Sequence, residues 1–433
     1  MAFVRASKLD LPNPCLSPSS PQVSSILYEP ISSSLALTLS DSSISLYPSL
    51  SPLLTPSLSY PQTLIPSPCS SASFLLLRSK NPDSSSPHVF FIVAGPYRGG
   101  SRLLLRFYAL RDGGFTRAKV ICDQKGIEFD SKVGVLLDLS HGVSVKVVGS
   151  TNYFVMYSVS SLKVMIFGVK IVSDGSNCGG DDDDDGSVVV KLIRCSVIEC
   201  CKPVWSIGVF SGLLVLGEDN GVRVVNLREI VKGKSKKGKK KENPVHVNKE
   251  LLSKQREGSS ESRMCFVSFQ NNSATIVGTD VESEAGLVKA ISIQALSVKR
   301  FLILDSAGYI HVLHVSGRHH LGSNFACHME QLPRFTDVQK LAFLPEISIG
   351  TKSVWISDGD YSVHRVITSN EETTSNVNDD DNKIREERLI QSSDFGAVTY
   401  TIFSPEKIQD LVPLDGNGVL ILGLRSIYAY AIS

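Results

Sequence analysis

Apolar and polar positions follow a pattern that recurs several times along this chain. In each copy a nearly continuous apolar run precedes a small or polar break, and a run of alternating apolar and polar residues follows. Clear copies end at Leu227, Val315, Ile367 and Ile432, and they read LLVLGEDNGVRVVNL, FLILDSAGYIHVLHV, VWISDGDYSVHRVI and VLILGLRSIYAYAI. Such self-similarity is typical of repeat architectures, in which each copy is one structural unit.

Each copy predicts three β-strands joined by short turns. An alternating strand comes first, as in Val338–Leu344 and Ile408–Leu414. A continuous apolar strand follows, which suits burial on both faces, and then an alternating strand, which suits one exposed face. Asp, Asn and Gly residues between the last two strands favour hairpin turns. Seven copies are recognisable, and their continuous apolar strands begin near Leu35, Val89, Tyr153, Leu213, Phe301, Val354 and Val419.

This pattern resembles that of a divergent WD40-like β-propeller, and the resemblance covers nearly the whole chain. It implies an all-β fold, a seven-bladed β-propeller formed by residues 1–433 as a single domain. The Gly-His and Trp-Asp dipeptides of that family are missing from every copy. Tyr47, Asn226 and His314 stand near the position where Trp-Asp would end the third strand. The missing dipeptides predict that the hydrogen bonds that usually brace each blade are missing as well.

The last copy ends with its third strand, so its fourth strand must come from elsewhere in the chain. The segment AFVRASKL, from Ala2 to Leu9, alternates as a strand would. Closing the ring with this segment would remove an exposed sheet edge. We therefore expect the N-terminal strand to complete the last blade, and the family resemblance implies the same closure.

Composition restricts the partners of the chain more than it identifies them. The 433 residues are 42% apolar and 20% charged, with a net charge of +1, so no overall field steers the protein to nucleic acid or to a membrane. No apolar stretch approaches the roughly 20 residues that span a bilayer, and we expect no membrane partner. The nine cysteines lack the spacing of a disulfide framework, which suits a reducing compartment.

The first 80 residues are rich in serine and poor in acids, as plastid transit peptides are. Plastid import is therefore an alternative location. The same segment, however, contains the first repeat copy and the expected closing strand. Removal of an import peptide would remove that strand, so we favour the other locations.

Three polar inserts separate the predicted strands, at about residues 173–187, 228–262 and 368–390. Each combines few apolar residues with local charge, so burial cannot offset the entropy of ordering the chain. We predict disordered loops. The first insert contains Asp181–Asp185, which we interpret as a solvated spacer, because five contiguous carboxylates wrap a calcium ion poorly.

The second insert contains the segment KGKSKKGKKK, which predicts nuclear or nucleolar import. Its lysines are Lys232, Lys234, Lys236, Lys237, Lys239, Lys240 and Lys241. The alternatives are a solvated loop, with the protein in the cytoplasm, or a tether for RNA phosphates. No aromatic residue lies between the lysines, so stacking on bases is not supported.

A group of metal-binding residue types occurs near the fifth copy, but its spacing does not fit a zinc site. Its members are His311, His314, His319, His320, Cys327 and His328. His311 and His314 lie three apart on a predicted strand and so point to opposite faces, and we place the other four in a loop. No metal and no cofactor are expected.

The chain contains no recognisable catalytic motif: no nucleophile elbow, phosphate-binding loop or zinc-protease helix. Arg98-Gly99-Gly100-Ser101 has the composition of a phosphate-binding turn, but a strand follows it, so we predict a hairpin turn. We predict that the protein is not an enzyme and has no catalytic residues.

The resulting prediction is a non-enzymatic, WD40-like protein-interaction scaffold. We place it, as a monomeric propeller within a larger complex of protein partners, in a nuclear or nucleolar assembly such as ribosome biogenesis or RNA processing. One alternative, a substrate receptor of a ubiquitin ligase, is implied by the resemblance, but Val363-His364-Arg365 does not reproduce the docking motif Trp-Asp-x-Arg. The other, an organelle-imported propeller enzyme, would need ionisable groups on its innermost strands, and the predicted innermost strand Ala72–Leu77 has none.

Overall fold

The chain folds into seven β-sheets that follow one another in sequence. The computed structural model describes residues 4–9, 20–50, 61–78, 86–138, 144–172, 188–232, 264–269, 287–316, 326–334, 337–344, 352–368, 395–414 and 417–432. Each sheet forms one blade around a common axis, so the predicted seven-bladed β-propeller is confirmed.

The first half of the chain builds strand β1 (Val4–Leu9), which joins blade 7, and blades 1 to 3. Blade 1 contains β2 (Val23–Glu29), β3 (Ser34–Leu39), β4 (Ile44–Tyr47) and β5 (Thr63–Ile65). Blade 2 contains β6 (Ser71–Leu77), β7 (His88–Tyr97), β8 (Arg102–Arg111), β9 (Gly114–Arg117), β11 (Ile127–Asp130) and β12 (Gly134–Leu137). Blade 3 contains β13 (Val145–Gly149), β14 (Tyr153–Ser158), β15 (Lys163–Ile171), β16 (Val189–Glu199) and β10 (Lys119–Ile121).

The second half builds four blades of four strands each. Blade 4 contains β17 (Ser206–Phe210), β18 (Leu213–Glu218), β19 (Gly221–Asn226) and β20 (Met264–Ser268), with helix α1 (Leu227–Lys232) after its third strand. Blade 5 contains β21 (Ala290–Ser297), β22 (Arg300–Asp305), β23 (Ile310–Ser316) and β24 (Ala326–Gln331). Blade 6 contains β25 (Lys340–Phe343), β26 (Lys352–Ser357), β27 (Ser362–Thr368) and β28 (Phe395–Phe403), and blade 7 contains β29 (Asp410–Leu414), β30 (Gly418–Leu422), β31 (Ile427–Ile432) and β1.

The continuous apolar runs form the second strand of every blade, counted outward from the axis. All seven predicted starting points fall on such strands, namely β3, β7, β14, β18, β22, β26 and β30. Strand β30, for example, is buried at each of its residues. A second strand has a hydrogen-bonded neighbour on each side and a blade against each face, so apolar residues are favoured at every position.

The ring is closed by two sets of contacts, one among the innermost strands and one at an outer strand. The innermost strands β2, β6, β13, β17, β21, β25 and β29 contact one another in that order, and β29 contacts β2 again. At the outer edge of blade 7, β1 pairs antiparallel with β31, from Val4 opposite Ile432 to Leu9 opposite Ile427. The Leu9 side chain is buried between blades 7 and 1. The prediction that the N-terminal strand completes the last blade is confirmed.

The hydrophobic core is divided into seven clusters, one between each pair of neighbouring blades. Between blades 2 and 3, the rings of Phe154 and Phe167 stack with centroids 4.8 Å apart, and Phe107 meets Phe154 edge-on at 5.9 Å. Full burial of such a side chain contributes about 1.5–3 kcal/mol. Each blade is therefore stabilised mainly by the two blades beside it.

Blades 2 and 3 share a segment that the repeat pattern did not predict. Strand β8 pairs with β9 along its C-terminal half and with β12 along its N-terminal half. Between them, β10 crosses to blade 3 and pairs in parallel with β16, from Lys119 opposite Val189 to Ile121 opposite Lys191. This exchange gives blade 3 a fifth strand, with Val120 buried between the two blades.

The predicted inserts lie almost entirely outside the described residues. The exceptions are Thr368, which ends β27, and the first five residues of the second insert, which belong to helix α1. Helix α1 therefore precedes the part of that insert that lies outside the described residues. Leu227 and Ile230 pack against the core between blades 3 and 4, and the Asn226 side chain accepts a hydrogen bond from the Arg228 amide at 3.1 Å. An apolar anchor and an N-cap together favour a helical turn here.

The described part of the chain contains no helix that is long and apolar enough to cross a membrane.

Candidate functional site

One face of the ring carries the turns between the second and third strands of the blades, and we call it the turn face. The connections that lead into the innermost strands lie on the same face, because backbone hydrogen bonds join them to these turns. The Asn220 amide donates to the Val288 carbonyl at 2.6 Å, and the Ser404 amide donates to the Tyr361 carbonyl at 2.8 Å. The turn face is therefore a continuous surface built from two sets of loops.

In blades 4, 5 and 6, an acidic residue near the end of the second strand is linked to the third strand, and we call these contacts blade braces. Their acids are Glu218, Asp305 and Asp358. In the strand register, Arg223 lies opposite Leu216, His311 opposite Ile303, and His364 opposite Ile356. In each blade the acid lies two residues after that residue of the second strand. The three braces thus occupy equivalent positions in three neighbouring blades.

The brace of blade 4 is an ion pair with two hydrogen bonds. The Nε and Nη2 atoms of Arg223 donate to the two carboxylate oxygens of Glu218 at 2.6 and 2.9 Å. Glu218 is buried, whereas Arg223 reaches the surface and lies over the Phe266 ring at 5.8 Å. The hydrogen bonds to Glu218 raise the pKa of Arg223. A bidentate geometry of this kind holds the two strands at one spacing.

The brace of blade 5 is buried on both sides. One carboxylate oxygen of Asp305 accepts the backbone amides of Ala307 and Tyr309 at 2.9 Å, and the other lies 2.8 Å from Nε2 of His311. Within the described residues Nδ1 of His311 has no hydrogen-bond partner, so Nε2 carries the proton and donates to Asp305. The Phe269 ring stacks on the imidazole at 4.4 Å.

The brace of blade 6 is more exposed and uses a hydroxyl group between the acid and the imidazole. The Ser362 hydroxyl donates to Asp358 at 2.7 Å and lies 3.2 Å from Nε2 of His364. Nδ1 of His364 lies 3.0 Å from the Thr401 hydroxyl on the fourth strand. Burial opposes ionisation of Asp358, but its hydrogen bonds with Ser362 and the Asp360 amide outweigh this effect and lower its pKa.

The blade braces correct an expectation drawn from the sequence. The family dipeptides are indeed missing, and Tyr47, Asn226 and His314 lie on third strands as expected, but three blades are braced nonetheless. The signal was present: Asp305 and His311, like Asp358 and His364, are separated by five residues in adjacent copies. Without the strand register, nothing indicated that these side chains meet.

Blades 4 and 5 are also joined on the turn face around the Trp205 side chain. Its indole N–H donates to the Asp219 carboxylate at 2.7 Å, and the Lys289 ammonium lies 4.0 Å from its ring centroid. A cation over an indole contributes about 0.5–2 kcal/mol, depending on its exposure to water. The Lys146 ammonium of blade 3 donates to the Trp205 carbonyl at 2.8 Å, which extends the contact to a third blade.

Blades 6 and 7 present three large apolar side chains on the turn face, and we call these the aromatic patch: Tyr361, Phe403 and Leu424. Their exposed fractions are 55%, 75% and 48%. They lie on three segments that are fastened together. The Tyr361 carbonyl accepts the Ser404 amide, and the Glu406 carboxylate accepts the Arg425 amide at 2.7 Å. The patch is therefore apolar surface on a fixed backbone.

Charged side chains lie at the border of the aromatic patch. Lys407 and Asp360 form an exposed ion pair at 3.0 Å, and Arg425 is exposed on the turn of blade 7. Burial opposes ionisation of Glu406, but hydrogen bonds from Arg425, Ser426 and Tyr428 outweigh it and lower its pKa. Apolar residues rimmed by charge are a common composition of protein-binding surfaces.

The innermost strands carry ionisable groups whose pKa values are shifted, but these groups do not converge. Burial raises the pKa of Asp410 on β29, and Lys340 on β25 opposes that shift. Burial lowers the pKa of Lys146 on β13. The two groups have separate partners, because Lys146 donates to the Trp205 carbonyl whereas Asp410 accepts from the backbone amides of Leu411 and Ile26. Within the described part of the chain, no group of three or more His, Cys, Asp or Glu residues could hold a metal ion.

Some of the remaining predicted site residues lie within the described part of the chain, and others lie outside it. Lys232 ends helix α1, whereas the other six lysines of the run, the Asp181–Asp185 run, His319 and His320 lie outside them. Cys327 and His328 belong to β24 and not to a loop, because residues 326–331 pair with β23 and place His328 opposite His314. Arg98–Ser101 forms the expected hairpin turn between β7 and β8.

Comparison with known proteins adds distant structural likenesses. No protein-family model matches the chain, and no curated protein matches it by sequence. The β-propeller domain of Cps50 (Swd1) from Myceliophteria thermophila is similar with a TM-score of 0.49 and 8% identity, over 96% of this chain and 97% of that one. A streptogramin B lyase is similar with a TM-score of 0.43 and 9% identity, over 99% of this chain and 98% of that one. The ring of strands in this chain itself identifies the fold as a seven-bladed β-propeller closed by its N-terminal strand.

Proposed function

We propose that the protein is a non-enzymatic interaction scaffold that binds protein partners through the turn face. The observation that carries this proposal is the aromatic patch, where Tyr361, Phe403 and Leu424 are exposed on segments fastened by hydrogen bonds. Aromatic side chains supply much of the binding energy at protein interfaces. A backbone that is already ordered loses little entropy on binding.

The arrangement of the ring supports the same proposal. Seven interblade cores and the closing strand β1 hold the blades, and the blade braces fix the turns of blades 4, 5 and 6. A surface built in this way keeps its shape when a partner binds. That property suits a platform on which other proteins assemble, and the monomeric propeller would be one member of a larger complex.

A triple variant of the aromatic patch tests this proposal directly. Tyr361→Ser, Phe403→Ser and Leu424→Ser together should lower the recovery of cross-linked partners at least tenfold in affinity purification with mass spectrometry. The matched control is Ile31→Ser, Leu64→Ser and Val298→Ser, which removes side chains of 54%, 62% and 45% exposure. These lie in first-to-second-strand turns or on an outer edge strand, away from the turn face.

The controls decide how the result is interpreted. Both variants should unfold at the same temperature as the wild type, because all six side chains are exposed. In the wild type, cross-links should map to residues of blades 6 and 7 on the turn face. Equal loss of partners in both variants, or full retention in the patch variant, would contradict the proposal.

We further propose that the scaffold works in the nucleus or nucleolus, in an assembly such as ribosome biogenesis or RNA processing. The support is the lysine run, Lys232 to Lys241, which has the composition of a nuclear import signal. Fusing residues 232–241 to a fluorescent reporter should concentrate the reporter in the nucleus. Replacing the seven lysines with glutamine in the full chain should leave the protein in the cytoplasm. Cytoplasmic fluorescence of the lysine-run fusion would remove this part of the proposal.

A further inference from the structure

Two cysteines from neighbouring blades meet at the outer edge of the ring. Cys265 lies on β20, the outermost strand of blade 4, and Cys327 lies on β24, the outermost strand of blade 5. The two strands pack against each other, Cys327 lies against the core between blades 4 and 5, and the Cys265 sulfur is close enough to Cys327 to raise the pKa of its thiol. Both residues are half-buried and both are free thiols.

The position of β20 gives the contact a structural consequence. Within the described residues, β20 is hydrogen-bonded to one strand, β19, and five residue pairs join the two strands. Cys265 is opposite Val224, near the end of that ladder. A covalent link from Cys265 to blade 5 would therefore hold the outer strand of blade 4 at a second point.

We propose that Cys265 and Cys327 form a reversible disulfide that fastens the outer edges of blades 4 and 5 when a peroxide oxidises the protein. In the first step the thiolate of one of the two cysteines attacks hydrogen peroxide. The O–O bond breaks, that cysteine becomes a sulfenic acid, and water leaves once a proton is taken up. In the second step the other cysteine attacks that sulfur, an S–S bond forms, its proton joins the departing hydroxide, and a second water leaves. A dithiol reductant restores both thiols.

The surroundings of the thiols affect the rate of this reaction. Burial raises the pKa of the Cys327 thiol above its ordinary value, and the neighbouring Cys265 sulfur raises it further. Thiolates react with peroxide and thiols do not, so oxidation should become faster as the pH rises. A transient disulfide of this kind suits a reducing compartment, where lasting disulfides are rare.

Peptide mapping of the full-length protein tests the proposal. The reduced protein is treated with hydrogen peroxide, its remaining thiols are blocked with N-ethylmaleimide, and its peptides are analysed without reductant. A cross-linked peptide pair containing Cys265 and Cys327 should appear in most molecules and disappear with dithiothreitol. Amide hydrogen exchange of Met264–Ser268 should slow by about tenfold in the oxidised protein, since fraying of an edge strand becomes restricted.

Two variants sharpen the result. Cys327→Ser should leave a Cys265 sulfenic acid that dimedone traps. Cys122→Ser removes another half-buried thiol, one near blades 2 and 3, and should leave the disulfide unchanged. Recovery of Cys265 and Cys327 as separately blocked thiols after peroxide treatment would overturn the proposal, as would pairing of Cys265 with a different cysteine. The wild-type peptide map decides the question even if a variant does not fold.

Discussion

In blades 4 to 6 an acid near the end of the second strand is linked to the third strand, whereas the second strands of blades 2 and 3 contain no acid at all. Those strands read HVFFIVAGPY and YFVMYS. Blades 2 and 3 are instead held by aromatic rings between them and by the exchanged strand β10. Apolar cores lie between all neighbouring blades, but blades 4 to 6 add polar contacts within each blade, whereas blades 2 and 3 add stacked rings and a shared strand.

The difference shows that the propeller topology does not depend on one stabilising chemistry. A second strand covered on both faces must be apolar along its length, but its end lies at the turn face, where a carboxylate can find polar partners. Blades 4 to 6 use that end to fix their turns. In blades 2 and 3 the strands β7, β8, β15 and β16 have 9 to 11 residues, and aromatic rings pack on one another between the two blades. The blade braces lie on the turn face, through which we propose that partners bind, whereas the stacked rings lie in the core between blades 2 and 3.

The largest expected effect on stability comes from the aromatic rings in the core between blades 2 and 3. Phe154→Ala should lower the free energy of unfolding by about 3–5 kcal/mol, because the side chain is fully buried and stacks on Phe167. Phe154→Leu, which keeps most of the volume, should lose about 1.5 kcal/mol or less. Denaturant unfolding monitored by circular dichroism measures both values. Equal losses for the two variants would mean that ring packing is not what holds blades 2 and 3 together.

On the braced side, Glu218→Ala should lower the free energy of unfolding by about 3 kcal/mol, since it leaves Arg223 without its buried partner. The effect should be local: amide exchange should accelerate in the turn at Asp219 and Asn220 and remain unchanged in blades 2 and 3. Glu218→Gln, which keeps an acceptor oxygen, should lose less. Faster exchange throughout the ring would contradict a brace that acts within one blade.

The braces themselves should differ in strength according to burial. A double-mutant cycle with Asp305→Ala and His311→Ala should give a coupling energy of about 2 kcal/mol, because both groups are buried and hydrogen-bonded. The corresponding cycle with Asp358→Ala and Ser362→Ala should give about 1 kcal/mol or less, because water competes for the more exposed pair. Equal coupling energies would show that burial does not set the strength of a brace.

The sequence predicted the features of the fold that depend on local periodicity. All seven second strands were found from their apolar runs, and the closing strand from its alternation together with the missing fourth strand of the last copy. The sequence did not predict β10 in blade 3, because the three residues Lys119–Ile121 carry no signal for a parallel pairing with a strand about 70 residues away. Such non-local pairing is decided by the packing of Val120 between two blades.

The candidate site was less accessible to sequence reasoning. The aromatic patch joins Tyr361, Phe403 and Leu424 from separate segments, and only the hydrogen bonds among those segments bring them to one surface. Similarly, the contact of Cys265 with Cys327 depends on which outer strands are neighbours. Runs of one residue type, such as the lysines, were easy to see because they need no partner in space.

The smallest predicted effect is on how stability changes with pH, and it contrasts Asp358, which belongs to a brace, with Asp410. Among the described contacts, Asp410 has no basic side chain at hydrogen-bond distance. Burial raises the pKa of Asp410, against the opposing effects of Lys340 and of the backbone amides of Leu411 and Ile26. The unfolded chain therefore releases this proton at a lower pH than the folded chain. As the pH rises through the unfolded and then the folded pKa, stability is lost. Asp410→Asn removes this penalty and should become more stable relative to the wild type between pH 3 and pH 7.

Asp358→Asn is the matched control, because the pKa shift of Asp358 has the opposite sign. Its folded pKa is lowered, so the wild-type carboxylate contributes stability that is present above the unfolded pKa and is lost as the pH falls through the folded one. The asparagine variant lacks this contribution and should become less stable relative to the wild type over the same rise in pH. Urea unfolding at several pH values measures both trends. Parallel trends in the two variants would show that the hydrogen bonds of the blade 6 brace do not lower the pKa of Asp358.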